Sequence, residues 1–231
     1  MWGRRVDGQV LNFYLAGINN QNFLMRDRET GSYWQQVSGE ALAGPLKGSR
    51  LTRVSSDELV WSRFRAEAPE GSVLLGETDR EHTDDYAADW EAQIQRAPTV
   101  IDTTATPLAP RTLILGLEQN GATRAYTAAR VREERVVHDE LGGVAILLWA
   151  PDAGSVRAFE RRIGQEPSAM FEGSGERLTD DATGSTWDFT GCAVAGPAVG
   201  QCLRRVDLLL DFWFDWYVYH PDSGIYGEPG A

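Results

Sequence analysis

The chain contains one block of sequence twice. The block 27–34, with Asp, Thr-Gly-Ser and Trp at fixed spacing, returns at 180–187. The triplet Ala-Gly-Pro at 43–45 returns at 195–197, one residue closer to the preceding Trp. Because the agreement extends over tens of residues with a single gap, chance does not account for it, and we interpret it as an internal duplication. A chain duplicated in this way is expected to fold as two related units.

The two copies differ in length. Before the part that both share, the second copy has a further stretch, from about Arg111 to Phe159, whereas the first has only Met1 to Gly3. We expect the chain to begin in the middle of a repeat, either because the first copy lost its front half or because the sequence is a fragment. The predicted division is an incomplete first repeat with an acidic connection over 1–98 and a complete second repeat over 99–231. If an upstream signal segment belongs to the protein, its expected location is extracytoplasmic.

Composition excludes two classes of partner. The 231 residues are 42% hydrophobic, enough for a sizeable core in one large or two modest domains. A net charge of −12 repels phosphate backbones, so nucleic acid is not an expected partner. The longest apolar run, Leu208 to Tyr219, is interrupted by Asp211 and Asp215, and no membrane span is expected. Only Lys47 among the 22 basic residues is lysine, which indicates a GC-rich genome or a high-salt habitat.

Short apolar runs between turn residues predict antiparallel strands. Asn120-Gly121 is the clearest hairpin signal, because both residues accept the positive φ of a tight turn. Further strands are predicted at Arg135–His138 and Val144–Trp149, and short helices from Ser56 to Pro69 and from Tyr86 to Ile94. The predicted fold class is mainly β (a β-rich α+β chain): a tandem repeat of a β-barrel or sandwich-like unit with short helices, the first copy incomplete.

Several motifs occur in a fixed order: Asn-Gly-Ala at 120–122, His-Asp-Glu-Leu-Gly-Gly at 138–143, Ala-Pro-x-Ala-Gly at 150–154, and then the repeated Asp-x-x-Thr-Gly-Ser-x-Trp and Ala-Gly-Pro. In this order they resemble the bacterial and archaeal domain of unknown function 3179. The second copy resembles the domain along its whole length, and the first copy only along the back half. Because the family has no established reaction, the resemblance implies a related fold and no particular activity.

The cysteines depart from the pattern of that family. Its members typically have Cys-Pro-x-Cys-Gly where this chain has Ala150 and Ala153. Paired thiols can form a redox couple or bind a soft metal, and methyl groups can do neither. We therefore expect no thiol chemistry in the second copy. Cys192 and Cys202 flank the second Ala-Gly-Pro turn, where both a disulfide and two free buried thiols remain open.

Each candidate binding residue also has a structural interpretation. Aspartates that precede Thr-Gly can accept backbone hydrogen bonds in a hairpin turn, and a Trp in a β-rich domain has a large area to bury. His138 beside Asp139 suggests a base with an orienting carboxylate, although neighbours on a strand point to opposite faces. A three-His metal site with His82 and His220 would require all three to converge. No catalytic residue is predicted, and the candidate binding residues are Asp27, Trp34, His138, Asp139, Asp180 and Trp187.

Two functional hypotheses follow. The first is a non-catalytic, β-rich binding or assembly module with a degenerate thiol motif, acting through an unidentified protein partner or by self-association, with no cofactor. The second is an enzyme or redox protein whose site lies between the repeats and uses His138, Asp139 and the repeated Asp and Trp residues around a metal or small ligand. Metal content of the purified protein distinguishes the two.

Overall fold

Antiparallel strands joined by short turns make up most of the fold. The computed structural model describes residues 1–19, 22–74, 90–94, 96, 98–99 and 106–228. The strands are β1 (Arg5–Val6), β2 (Gln9–Val10), β3 (Phe13–Asn19), β4 (Asn22–Asp27), β5 (Tyr33–Gln35), β6 (Ala41–Ala43), β7 (Leu113–Gln119), β8 (Ala122–Thr127), β9 (Val136–Leu141), β10 (Val144–Trp149), β11 (Arg157–Glu160), β12 (Phe171–Ser174), β13 (Arg177–Asp180), β14 (Thr186–Asp188), β15 (Ala193–Ala195), β16 (Arg205–Val206), β17 (Leu209–Phe212) and β18 (Gly224–Ile225). The helices are α1 (Trp61–Glu67), α2 (Trp90–Ile94), α3 (Ala128–Glu134) and α4 (Trp213–Tyr219). The predicted mainly-β class is confirmed.

Four sheets of four strands carry the fold, beside the small hairpin β1–β2. Two of them are meanders, β3-β4-β5-β6 in the part that we call the first half (residues 1–74) and β12-β13-β14-β15 in the second half (residues 106–228). The other two belong to the second half and have the orders β16-β11-β10-β9 and β17-β7-β8-β18. In the described part of the chain no helix has the length and apolar character needed to cross a membrane.

The hairpins predicted from turn chemistry are present. Strands β7 and β8 pair across Asn120 and Gly121, whose φ angles are 50° and 82°. Strands β9 and β10 pair across Gly142-Gly143, both with positive φ. Asn and Gly tolerate this left-handed backbone, which twists in the direction that a two-residue hairpin needs.

The second half contains most of the buried apolar surface. One cluster joins β7–β11 with α3, and another packs Trp149 and Phe159 of one sheet against Phe171 and Trp187 of the meander. In the first half, by contrast, the cluster of buried residues is small, and it consists of Val6, Leu11, Trp34, Ala41 and Leu51. The first half therefore has the smaller core of its own.

The helix predictions were only partly right. The helix predicted from Ser56 begins at Trp61: residues 56–60 are not helical, and Val60, which precedes the helix, has an extended backbone and makes no side-chain cap. Of the helix predicted over 86–94, α2 covers Trp90–Ile94 and the rest lies outside the described residues. Helix α3 was not predicted. It is a run of good helix formers that buries Ala128 and Val131 on one face. Helix α4, which follows β17 directly, was not predicted either.

Candidate functional site

The repeated aspartates are fully used inside two equivalent hairpin turns. The Asp27 carboxylate accepts hydrogen bonds from the backbone N–H groups of Thr30, Gly31 and Ser32 and, at 2.8 Å, from the indole N–H of Trp34. Asp180 accepts the corresponding bonds from Thr183, Ser185 and Trp187, again with the indole at 2.8 Å.

Both aspartates and both Trp residues of these turns are buried. Burial acts to raise the pKa of Asp27 and of Asp180, but the hydrogen bonds that they accept hold each pKa below its usual value. These four residues hold the turns, and the prediction that both Trp side chains point inward is confirmed.

Steric crowding explains why glycine stands in both copies of Ala-Gly-Pro. A Cβ added at Gly44 would lie 2.6 Å from the Cα of Ser32, and one added at Gly196 would lie 2.7 Å from the Cα of Ser185. Both glycines also have φ above +90°. Only glycine fits a backbone that approaches so closely in this conformation, so this motif packs the turn and is not a ligand loop.

The two cysteines occupy the same place as an ion pair in the first half. Cys192 and Cys202 face each other across an isolated antiparallel bridge and form a disulfide. Glu40 and Arg50 face each other in the same way, and the Arg50 guanidinium lies 2.7 Å from the Glu40 carboxylate. The disulfide thus links the two ends of a meander turn, and both cysteines of the chain are used in it.

His138 and Asp139 point to opposite sides of β9. The His138 Nε2 accepts the backbone N–H of Phe171 at 3.1 Å, and burial together with Arg161 lowers the histidine pKa. Asp139 instead pairs with Arg124 at 2.6 Å and accepts the hydroxyl of Tyr126 at 2.5 Å. The two side chains therefore do not form a catalytic dyad.

The three-His site has no support among the described residues. His82 lies outside them, as do Asp84 and Asp85. The His220 ring stacks on Trp216, with 4.0 Å between ring centroids, while His138 bonds to Phe171 on another sheet. Within the described ranges, no group of three or more His, Cys, Asp or Glu side chains is placed to hold a metal ion.

The loop 150–154, which stands where the family has Cys-Pro-x-Cys-Gly, binds the first half to the second. Ala150 is fully buried, and the carboxylate of Asp152 accepts hydrogen bonds from Arg63 of α1, with one nitrogen at 2.8 Å. Arg63 also binds Glu176, and the pKa of Arg63 is raised mainly by that hydrogen bond. The hydroxyl of Ser155, three residues after Asp152, accepts the backbone N–H of Val60. This loop therefore acts as a contact surface for the segment 60–63.

A buried arginine organises the junction between the halves. Arg157 is 5% exposed and binds Glu67 of α1 through two nitrogens, at 2.6 and 2.9 Å. Its guanidinium also contacts Asp57 at 2.8 Å, and Arg205 binds the other oxygen of the same carboxylate. Two arginines of the second half thus enclose one aspartate of the first. These ion pairs hold Asp57 outside the helix that begins at Trp61.

A cavity of about 180 Å³ lies at this junction, and we call it the junction pocket. The first half contributes charged and polar side chains of the segment 53–58, and the second half contributes three arginines and a set of apolar side chains. The arginines of the wall are Arg53, Arg132, Arg157 and Arg205, and the apolar side chains include Leu115, Val156, Ala158, Val206 and Leu208–Leu210. Both halves are needed to form it.

A pair of buried carboxyls lies behind one wall of the pocket. Asp211 and Asp215 share a hydrogen bond, and Asn22 donates to Asp215 at 2.6 Å. Burial and the neighbouring Asp215 raise the pKa of Asp211 to about 8, and burial raises the pKa of Asp215. Glu58 of the pocket wall also has a pKa raised by burial. Burial and the repulsion between the two carboxylates therefore favour a protonated form of this pair.

The junction pocket was not among the sequence-predicted sites. The six candidate residues lie in two hairpin turns and on β9, and none of them lines the pocket. Its arginines come from α3, β11, β16 and the segment after β6, and no local motif connects them. Only the hypothesis of a site between the repeats pointed to this region.

Comparisons with known proteins agree on one family and give no characterised relative. The family model described as "Protein of unknown function (DUF3179)" matches residues 1–223. This match includes the first half as well as the second. Neither a curated protein nor a solved structure matches the chain.

Proposed function

We propose that this chain, which belongs to the DUF3179 family, is a non-catalytic binding module whose ligand site is the junction pocket. The observation that supports this is the composition of the pocket wall, which joins arginines and apolar side chains of the second half to residues 53–58 of the first. Small-molecule sites are typically concave and apolar with a few placed polar groups. At about 180 Å³ the pocket suits a small ligand.

We propose a non-catalytic role because the candidate catalytic residues are either absent or occupied by structural contacts. The alanines at the family's cysteine positions carry no thiol, and the two cysteines of the chain are joined in a disulfide. The repeated Asp and Trp residues hold turns, and His138 accepts a backbone N–H. We expect no thiol-dependent activity of this chain.

Ligand-observed NMR with a mixed library of small fragments tests the proposal. In the variant Val54→Trp a large side chain replaces a pocket-lining valine that is 44% exposed, so the fold should tolerate it while the pocket is filled. Val10→Trp is the matched control, because Val10 is 38% exposed and lies away from the pocket. We expect fragments that bind wild type and Val10→Trp, do not bind Val54→Trp, and are recovered unchanged.

Two results would contradict the proposal. If every fragment bound Val54→Trp as well as wild type, or none bound wild type, the junction pocket would not be the ligand site. In that case the binding hypothesis would require a protein partner or self-association in place of a small ligand. If a bound fragment were converted during incubation, the module would be catalytic.

The second candidate function is an enzyme or redox protein with a metal- or small-ligand site between the halves. Glu58 favours it, because this carboxyl lines the pocket with a raised pKa, a property common among catalytic acids. Metal analysis of the purified protein, together with the same NMR samples, tests it. Stoichiometric metal that His138→Ala removes, or fragment turnover that Glu58→Gln abolishes, would favour the enzyme.

A further inference from the structure

An arginine in the junction pocket has a buried nitrogen with no partner. Arg132 of α3 lines the pocket, its Nε is buried, and no hydrogen bond or ion pair joins it to any other residue in the described part of the chain. The buried Nε of Arg205 in the same wall also lacks an acceptor. Buried N–H groups without acceptors are costly and uncommon in native proteins. Arg132 makes no hydrogen bond or ion pair with a described residue, so its guanidinium is available to an acceptor in the pocket.

The charges around the pocket also favour an anion. Arg53 pairs with Asp207, while Arg157 and Arg205 pair with Asp57 and Glu67. These pairs balance, so Arg132 is the basic residue of the wall without a counter-charge among the described residues. Glu58, the remaining acid of the wall, makes no ion pair with Arg132, and desolvation raises its pKa. A bound anion would supply the missing negative charge.

The rest of the wall limits the form of that anion. Leu115, Ala158, Val206 and Leu208–Leu210 form an apolar part of the wall, and an apolar body packs well against it. A guanidinium presents planar N–H pairs that match a carboxylate in a two-point contact. Because the cavity is small and carboxylates of the chain lie near it, a singly charged group fits better than a doubly charged phosphate.

We propose that the junction pocket recognises a small carboxylate with an apolar body, held at its charged end by Arg132 and Arg205. This inference rests on the proposed binding function and names the class of ligand. Arg132 makes the contact that distinguishes acid from neutral ligands, and Arg205, which is bound to Asp57, adds positive charge to the same wall.

Calorimetric titration with matched acids and amides tests the inference. The probes are butyrate, hexanoate and benzoate, their neutral amides, and inorganic phosphate. We expect at least one acid to bind wild type about tenfold more tightly than its amide, and phosphate to bind more weakly than that acid. Arg132→Gln should weaken the acid about tenfold and leave the amide within about twofold.

Arg130→Gln is the matched control. Arg130 lies on the same helix, pairs with Glu134 and does not line the pocket, so acid binding should stay unchanged. Arg132→Lys keeps the charge without the planar fork, and it should give an intermediate affinity. Because Arg132 has no partner among the described residues, both substitutions should leave the melting temperature close to that of wild type.

Several outcomes would overturn the inference. They are equal affinity for acid and amide, no effect of Arg132→Gln on acid binding, tighter binding of phosphate, or no binding of any of the three acids. If neutral fragments still bound wild type and were excluded by Val54→Trp, the carboxylate inference alone would fail and the proposed function would stand. If Val54→Trp excluded nothing, both would fail.

Discussion

At the scale of single residues, two buried aspartates account for the block of sequence that occurs twice. Each carboxylate accepts hydrogen bonds from the backbone N–H groups of a tight turn and from an indole N–H. Hydrogen bonds to a charged acceptor are among the stronger ones in proteins, and an orphaned buried donor costs more than the bond itself contributes. The spacing Asp-x-x-Thr-Gly-Ser-x-Trp is therefore a structural requirement of the turn.

Removing one of these carboxylates should destabilise the protein strongly. Asp180→Ala leaves the buried indole N–H of Trp187 without an acceptor, and we expect the free energy of unfolding to fall by about 3 kcal/mol. The measurement is urea unfolding at pH 7, with Asp222→Ala at an exposed site as control. Because the pKa of Asp180 is lowered, its contribution is present above the unfolded pKa and is lost as the pH falls through the folded pKa. A loss below 1 kcal/mol would contradict this account of the turn.

The acid pair Asp211–Asp215 should make the protein less stable at alkaline pH. The pKa of Asp211 is about 8 in the folded state against an ordinary value of 3.8, so the folded chain holds a proton that the unfolded chain releases. This contribution is fully present below the ordinary pKa and is lost as the pH rises through about 8. The free energy of unfolding should therefore fall with rising pH, at up to about 1.4 kcal/mol per pH unit.

Unfolding of wild type and Asp211→Asn between pH 7 and pH 8.5 measures this effect, because histidines are then mostly neutral in both states. The amide has nearly the same shape and no charge, so the pH dependence should flatten in the variant. Asp222→Asn should keep the wild-type slope. Parallel slopes for wild type and Asp211→Asn would show that Asp211 is ionised in the folded protein.

At the scale of elements, the two meanders use different bonds for the same link. The Cys192–Cys202 disulfide and the Glu40–Arg50 ion pair each join residues that face each other across an isolated antiparallel bridge. An exposed ion pair contributes little to stability, whereas a disulfide restricts the unfolded chain. The link in the first half is therefore the weaker one.

Replacing the ion pair by cysteines should strengthen the first meander. Glu40→Cys with Arg50→Cys places two thiols where the other meander has its disulfide, and we expect them to oxidise. A disulfide that closes a loop of this size should add about 2–3 kcal/mol. Thiol titration of the unfolded variant and melting with and without reductant are the measurements, and Cys192→Ser with Cys202→Ser should show the opposite change. Two free thiols after oxidation would show that the two links differ in geometry.

At the scale of the whole molecule, the first half is held by charged contacts with the second. None of the residues of α1 is buried, and its Arg63 and Glu67 bind Asp152 and Arg157 of the second half. The Phe189 ring lies between two guanidinium groups, with Arg63 and Arg157 each 4.6 Å from its centroid. The junction pocket lies in the same contact region.

A fragment of residues 1–76 should not fold by itself. Its core is the small cluster around Trp34 and Leu11, and its helix would lose its ion-pair partners. A sheet that buries so little apolar surface should not offset the loss of chain entropy on folding. Urea unfolding by fluorescence, with sedimentation to establish the monomer, is the measurement, and the full chain is the control. A cooperative transition of the monomeric fragment would contradict the prediction.

The sequence by itself determined the features that depend on neighbouring residues. Turn chemistry at Asn120-Gly121 and Gly142-Gly143, the hairpins after Asp27 and Asp180, and the mainly-β class follow from local backbone preferences and from the alternation of apolar side chains. The family resemblance depends on the same motifs. The internal duplication remains an interpretation of the sequence. The two meanders have matching turns, which agrees with it.

Only the tertiary structure decided which residues meet at the junction. Arg157 and Arg205 bind the Asp57 carboxylate from a distant part of the chain, and the residues that follow Ser56 could not reveal that. The partnerless Nε of Arg132 and the raised pKa values of Asp211 and Asp215 likewise arise from burial by the surrounding structure. Long-range ion pairs leave no periodic pattern, since each depends on how separate sheets pack together and not on the residues beside it.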